Sequence, residues 1–153
     1  MRKYRTLIIG SLFTLAERDF NVALAAALAK QSNNRLVVTL PQIEAEKFKK
    51  GDQYDLEAIR LDCEKNAFEY EIVIAILEGA DCDSGTCYEL GYRAGHGGGL
   101  TIGVRTDFRQ SENGSRVNAM LTGVEMVYLP SPVATVPELA NMILLAIERH
   151  KKL

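Results

Sequence analysis

The chain has 153 residues, of which 47% are hydrophobic and 25% charged, which fits one ordinary globular domain spanning 1–153 with a real core. A formal net charge of −2 gives no electrostatic grip on nucleic acid or an anionic membrane. No apolar run approaches the ~20 residues that span a bilayer. The N-terminal segment 1–6 is basic, and the apolar stretch 7–9 behind it is too short for a signal-peptide core, so a cytoplasmic protein is expected. Three cysteines without paired spacing, Cys63, Cys82 and Cys87, argue against a disulfide framework. With His96 and His150 the only histidines, a zinc site has few possible ligands, and no metal is expected.

Strand and helix signals alternate from end to end. Residues 6–9 read as a buried strand ended by Gly10-Ser11, and the Ala- and Leu-rich stretch 16–31 as a helix closed by the turn Ser32-Asn33-Asn34. A second strand covers 36–38 and stops before Pro41. The charged segment 44–53 reads as a mobile loop or irregular helix, and 56–70 as a helix. Residues 72–77 form a third, wholly apolar strand, and 86–94 the helix after it. Gly97-Gly98-Gly99 closes that helix, since no helix follows to make the run a phosphate cradle. A fourth strand covers 100–104. The polar stretch 106–116 contains a turn signal at Asn113-Gly114. A fifth strand covers 124–129, and Pro137 opens a final amphipathic helix over 137–152. This alternation predicts a doubly wound, three-layer α/β/α fold with a five-stranded parallel sheet, flavodoxin-like or Rossmann-like.

The most informative segment is Asp83-Ser84-Gly85-Thr86-Cys87-Tyr88-Glu89-Leu90-Gly91-Tyr92. It follows a buried parallel strand and opens a helix, a favoured ligand position in open α/β sheets. Two carboxylates at such a place suggest polyol recognition or glycosidic-bond chemistry. Glu89 has two readings. Thr86-Cys87-Tyr88-Glu89 fits the capping box [ST]-x-x-E, in which Glu89 bonds back to the Thr86 amide. As an ionised carboxylate beside a helix N-terminus it is also fit to attack an anomeric carbon. Asp83 is either a turn residue or an acceptor for sugar hydroxyls. Gln42, after Pro41, is either solvated or pairs with the donor and acceptor edge of a nucleobase. Asp62 reads as a helix surface charge among Arg60, Glu64 and Lys65. Asn118 and Met120 are weaker signals still.

Together these segments resemble the nucleoside 2-deoxyribosyltransferase family over roughly residues 7–128. The resemblance is carried by Gly10-Ser11-Leu12-Phe13 with Ala16-Glu17-Arg18, by Pro41-Gln42, by Asp83-Ser84-Gly85-Thr86 through Glu89-Leu90-Gly91-Tyr92, and by Arg105-Thr106-Asp107-Phe108-Arg109 with Asn118-Ala119-Met120. It implies that Glu89 is the nucleophile that forms a covalent deoxyribosyl ester, released to a second base or to water. It further implies that Asp83 holds the 5′-hydroxyl, that Gln42 reads the base, and that Asn118, beside Met120, reaches the site of a neighbouring subunit in a dimer or multiple of dimers. No metal or organic cofactor is implied; the partners are a deoxynucleoside and a free nucleobase.

The sequence departs from the family twice. Leu7 stands where the family has a first-strand tyrosine, for which Tyr4, Tyr88 or Tyr92 is the available substitute. Cys63 stands where it has an Asp or Asn near the leaving base, with Asp62 one position, ~100° around a helix, away. Two other readings compete. A 2′-deoxynucleoside 5′-phosphate N-hydrolase shares the fold, with Ser11 and Ser84 as candidate phosphate donors, but Asp83 opposes a phosphate. A non-catalytic nucleoside- or nucleotide-binding module is the other.

Overall fold

The structure is a computed structural model and describes residues 2–109, 116–129 and 134–151. In chain order the elements are β1 (Tyr4–Ile9), α1 (Leu15–Gln31), β2 (Leu36–Thr39), α2 (Pro41–Glu44), a 3₁₀ turn (Ala45–Phe48), β3 (Lys49–Lys50), β4 (Gln53–Tyr54) and α3 (Leu56–Glu69). There follow β5 (Ile72–Ile76), α4 (Ser84–Gly95), β6 (Leu100–Arg105), a second 3₁₀ turn (Ala119–Leu121), β7 (Glu125–Tyr128) and α5 (Val136–Glu148).

Five strands form one sheet in the order β2-β1-β5-β6-β7, and every pairing in it is parallel. This is the expected doubly wound α/β fold. Because side chains alternate across a strand, the sheet feeds two cores. Ile8, Ile72, Ile74, Ile76, Ile102 and Val104 pack with Leu24 and Leu28 of α1 and Ile143 and Ile147 of α5. Leu7, Ile9, Val73, Ala75 and Leu77 pack on the opposite face with Leu90 of α4 and Leu121. All five residues of β5 are buried, as a central strand covered on both faces requires.

The helix ends follow local chemistry. Thr14 and Thr135 form reciprocal capping boxes with Glu17 and Glu138. At the end of α4, Gly97 takes φ +69°, the Gly98 amide donates to the Arg93 carbonyl at 2.9 Å and the Gly97 amide to that of Ala94 at 3.4 Å. This is a Schellman stop, so the glycine run closes the helix as expected. No described helix is long and apolar enough to cross a membrane.

Segment 44–53 differs from its expectation as a loop or irregular helix. It holds the end of α2, the 3₁₀ turn and most of an antiparallel hairpin, in which Lys49 pairs with Tyr54 and Lys50 with Gln53. Gly51, at φ +62°, supplies the left-handed residue that a two-residue hairpin loop needs. The Asn113-Gly114 turn signal lies outside the described residues.

The strand order places β1 beside β5, while the chain leaves β1 towards β2 and β5 towards β6. The crevice beyond the carboxyl ends of these two strands is the topological switch point. Gly10 makes it possible for the strand ends to meet there, since a Cβ on Gly10 would lie 2.7 Å from the Ile76 Cβ.

Candidate active site

A cavity of about 690 Å³ opens at this switch point. Its floor comes from the end of β1 (Leu7, Ile9, Gly10), one wall from Pro41, Gln42 and Phe48, another from Ile59, Asp62 and Cys63 of α3, and the last from Asp83, Thr86 and Glu89. Phe13 and Leu56 line its mouth and are 71% and 76% exposed, leaving apolar surface uncovered where a flat ring could lie. Tyr54 and Glu46 join the same rim, with the Tyr54 hydroxyl donating to Glu46 Oε1 at 2.5 Å.

The loop and first turn of α4 exclude the capping reading of Glu89. Asp83, not Thr86, is the N-cap: its Oδ2 accepts from the Thr86 amide and from Thr86 Oγ1, both at 2.8 Å. The helix therefore starts at Ser84, two residues earlier than expected. The Thr86–Glu89 capping box does not form, because Asp83 has taken the amide that Glu89 would accept from. Glu89 is left free to face the cavity. Burial drives its carboxyl up to about 7, with the nearby Asp83 charge adding to the rise and a hydrogen bond with Cys63 opposing it.

The residues quoted from the opening of the chain turn out to be scaffolding for this cavity. Glu17 accepts from Ser11 Oγ at 2.6 Å, the Phe13 amide at 3.0 Å and the Thr14 amide at 2.7 Å, and these bonds pull its carboxyl down to about 2. Arg18 Nη1 donates to the carbonyls of Leu12 and Phe13 at 3.3 and 2.8 Å. Both side chains thus pin the loop that carries Phe13 to the rim. Glu17→Ala should loosen this loop and remove half a capping box, read as a small fall in the urea midpoint. An unchanged midpoint would show that the loop holds itself.

The late motif does the same for the signature loop. Buried Arg105 donates to the carbonyls of Leu77 at 2.7 Å and Gly79 at 2.8 Å, and Glu78 accepts from the amides of Thr106 and Asp107. The loop that ends in Asp83 is therefore tied back to the end of β6.

Asp62 and Cys63 both line the cavity. Asp62 is engaged by Asn66 Nδ2 at 2.8 Å and Lys47 Nζ at 3.3 Å, so it is a bridged wall residue and not the solvated surface charge that its neighbours suggest. Gln42 also lines the cavity, but its Oε1 accepts from buried Asn21 at 3.1 Å and its Nε2 donates to the Arg18 carbonyl at 3.1 Å. One lone pair and one N–H of its amide remain for a ligand.

None of the three tyrosines named as substitutes for a first-strand phenol lines this cavity. Tyr4 is buried at the start of β1, the Tyr88 hydroxyl donates to Glu64, and Tyr92 stacks on His96 at 4.1 Å. Cys63 of α3 shares the cavity wall with Glu89 instead. The rim formed by the β3–β4 hairpin also escaped the sequence reading, although Gly51-Asp52 between Lys50 and Gln53 was a usable hairpin signal.

Asn118 and Met120 lie elsewhere. Asn118 caps the second 3₁₀ turn by accepting from the Met120 amide at 3.0 Å, and Met120 is 89% exposed. Both border a separate cavity of about 820 Å³ on the far side of α4, not the one that Glu89 faces.

The chain is a doubly wound α/β protein with a carboxylate-lined crevice at its switch point. The nucleoside 2-deoxyribosyltransferase family model matches residues 8–120, and the chain belongs to that family. Three solved structures are similar in fold. A conserved protein from Enterococcus faecalis V583 aligns with a TM-score of 0.72 at 19% identity, covering 94% of this chain and 99% of that one. A 2-desoxiribosyltransferase from Leishmania mexicana gives 0.65 at 18%, covering 97% and 99%. A CMP N-glycosidase from Clostridium botulinum gives 0.54 at 19%, covering 93% and 98%. No match was found among curated proteins.

Proposed function

We propose that the chain is a nucleoside 2-deoxyribosyltransferase that uses Glu89 as its nucleophile. The observation that carries this reading is the release of Glu89 from helix capping by Asp83, which leaves a half-buried carboxyl facing a cavity rimmed by Phe13, Phe48 and Leu56. The Glu89 carboxylate attacks C1′ of the 2′-deoxyribose as the C1′–N bond breaks, its electron pair leaving with the base. The resulting ester is then opened by the nitrogen of a second base, or by water, with net retention. Asp83 holds the sugar: its Oδ2 is spent on the cap, and its other oxygen is the acceptor for the 5′-hydroxyl. Gln42 contributes its remaining N–H and lone pair to the base, and Asp62 borders the leaving group. Asn118 and Met120, too far round the molecule to serve this site, act at that of a second copy.

The nucleotide-hydrolase reading is less well supported. Glu44, Glu46, Asp62, Asp83 and Glu89 all line the cavity against one cation, Arg18, whose guanidinium is on backbone carbonyls. A phosphate carrying nearly two negative charges is repelled there. Neither Ser11 nor Ser84 lines the cavity, and the Ser11 hydroxyl is bonded to Glu17.

The test is incubation with a deoxynucleoside and a different free base, followed by chromatography. Appearance of the exchanged nucleoside supports the transferase. Free sugar alone points to a hydrolase, and no turnover to a binding module. Asp83→Ser should shift preference from deoxynucleosides towards their 5′-phosphates by roughly tenfold or more; an unchanged preference would remove Asp83 from the sugar site.

A further inference from the structure

The wall that α2, the first 3₁₀ turn and α3 give to the cavity carries three carboxylates, Glu44, Glu46 and Asp62. Two of them share one cation. Lys47 Nζ lies 3.2 Å from Glu44 Oε2 and 3.3 Å from Asp62 Oδ1, and Asn66 Nδ2 donates to the other Asp62 oxygen at 2.8 Å. Glu46 is placed differently. Among the described residues no lysine or arginine forms an ion pair with it, and its one hydrogen-bond partner is the Tyr54 hydroxyl, which donates to Oε1 at 2.5 Å. Its second oxygen, Oε2, is open. The hairpin fixes this pair in place. Tyr54 pairs with Lys49 across it, the Asp55 amide donates to the Phe48 carbonyl at 3.0 Å, and Lys50 Nζ donates to the Asp55 carboxylate at 2.6 Å. The bond to Glu46 raises the pKa of the Tyr54 phenol, so the phenol keeps the proton it donates.

We propose that Glu46, held by Tyr54, is a specificity residue that accepts a hydrogen bond from the exocyclic amino group of the nucleobase, so that the cavity favours a 6-aminopurine or 4-aminopyrimidine over its oxo counterpart. This rests on the cavity being the nucleoside site of the proposed transferase. A base lying among Phe13, Phe48 and Leu56 turns its polar edge to the wall. An amino group there gives Glu46 Oε2 an N–H, and the bond is charge-assisted. An oxo group sets its lone pairs against a carboxylate that no cation offsets. The other polar groups of this wall do not discriminate. Gln42 keeps one N–H and one lone pair after its bonds to Asn21 and Arg18, and an amide turns either to a base. Asn66 keeps one N–H and its carbonyl oxygen beside its bond to Asp62. The charge on Glu46 therefore decides between the two edges.

The test compares acceptor bases that differ at that one group. With a single deoxynucleoside donor at neutral pH, kcat/KM is measured for adenine against hypoxanthine and for cytosine against uracil. The amino member of each pair should be preferred by roughly tenfold. Glu46→Gln keeps the size of the side chain but removes the charge, and its amide can face either base, so both ratios should fall close to one. Tyr54→Phe leaves the carboxylate without its phenol, and the ratios should fall part of the way. A purely structural role for the pair would lower both members of each pair together and leave the ratios alone. Equal use of amino and oxo bases by the wild type, or ratios unmoved in Glu46→Gln, would overturn the proposal.

A second measurement is independent of turnover. Calorimetric titration of the Glu89→Gln variant with 2′-deoxyadenosine and with 2′-deoxyinosine should show tighter binding of the first, again by roughly tenfold, and the difference should vanish when Glu46→Gln is added. A binding preference of this kind in a protein that exchanges no bases would leave the Glu46 contact standing and remove the transferase reading. Base exchange by the wild type together with equal binding of the two nucleosides would do the reverse, overturning the contact and leaving the transferase.

Discussion

Glu89→Gln is expected to lower base exchange by roughly 10⁴–10⁶-fold while leaving the fold intact. The amide keeps the size of the side chain but has no charged oxygen with which to form an ester. Mass spectrometry of the wild type quenched during turnover should find a 2-deoxyribosyl adduct on the peptide carrying Glu89, and the variant should lack it. Since the carboxyl sits at about 7, wild-type kcat/KM should rise with pH through that value, as the ionised form is the attacking one. Stability moves the other way. The folded protein holds the Glu89 proton up to about 7, whereas the unfolded chain releases it near 4.5. The favourable contribution of that proton is complete below 4.5 and is lost as pH rises through 7. Glu89→Gln should therefore raise Tm at pH 8 and do little at pH 4. An exchange rate near that of the wild type, or a Tm difference independent of pH, would remove Glu89 from the nucleophile's place.

The sequence carried the architecture because two simple signals never conflict in it. Short, wholly apolar runs bounded by turn signals, such as 72–76, read as central parallel strands, and Ala- and Leu-rich segments between turns read as the crossovers. It was equivocal about Glu89, since one tetrapeptide satisfies both a capping box and a catalytic carboxylate. That ambiguity lay in Asp83, which from three residues earlier takes the same amide, and competition between two caps is settled by backbone geometry. The motif residues Glu17, Arg18, Arg105 and Asp107 point to the family in sequence, yet the structure uses them to hold loops. Cys63 and Glu89 reach one cavity from two helices, 26 positions apart in sequence, and no local pattern announces such a pair. The hairpin rim was legible in Gly51-Asp52, but the lysine-rich setting hid it.

Arg93→Leu is expected to have the largest effect on stability, about 3–5 kcal/mol. Arg93 is 2% exposed and lies one turn beyond Glu89 on α4. Its guanidinium donates to the carbonyls of Ala67, Tyr70 and Leu100 and to Thr101 Oγ1. It thereby joins the end of α3 and the start of β6 to α4. Burial lowers its pKa to about 10, so it remains charged at neutral pH and every one of these bonds is charge-assisted. Leucine fills part of the space but strands buried carbonyls, and each stranded group costs about 1–3 kcal/mol. A typical domain has only about 5–15 kcal/mol in hand, so the variant should unfold at a much lower urea concentration. Arg93→Lys, with one ammonium in place of the fork, should fall between the two. The glycine run belongs to the same device. A Cβ on Gly98 would lie 2.4 Å from Arg93 Cγ, and one on Gly99 2.5 Å from the Glu71 carbonyl oxygen. Gly98→Ala should therefore displace the arginine and reproduce part of the loss. Because the tether sets how α4 lies against α3, Gly98→Ala should also displace Glu89 on the cavity wall, lowering kcat more than it raises KM. A urea midpoint for Arg93→Leu equal to that of the wild type would mean that α4 is held by its apolar face alone.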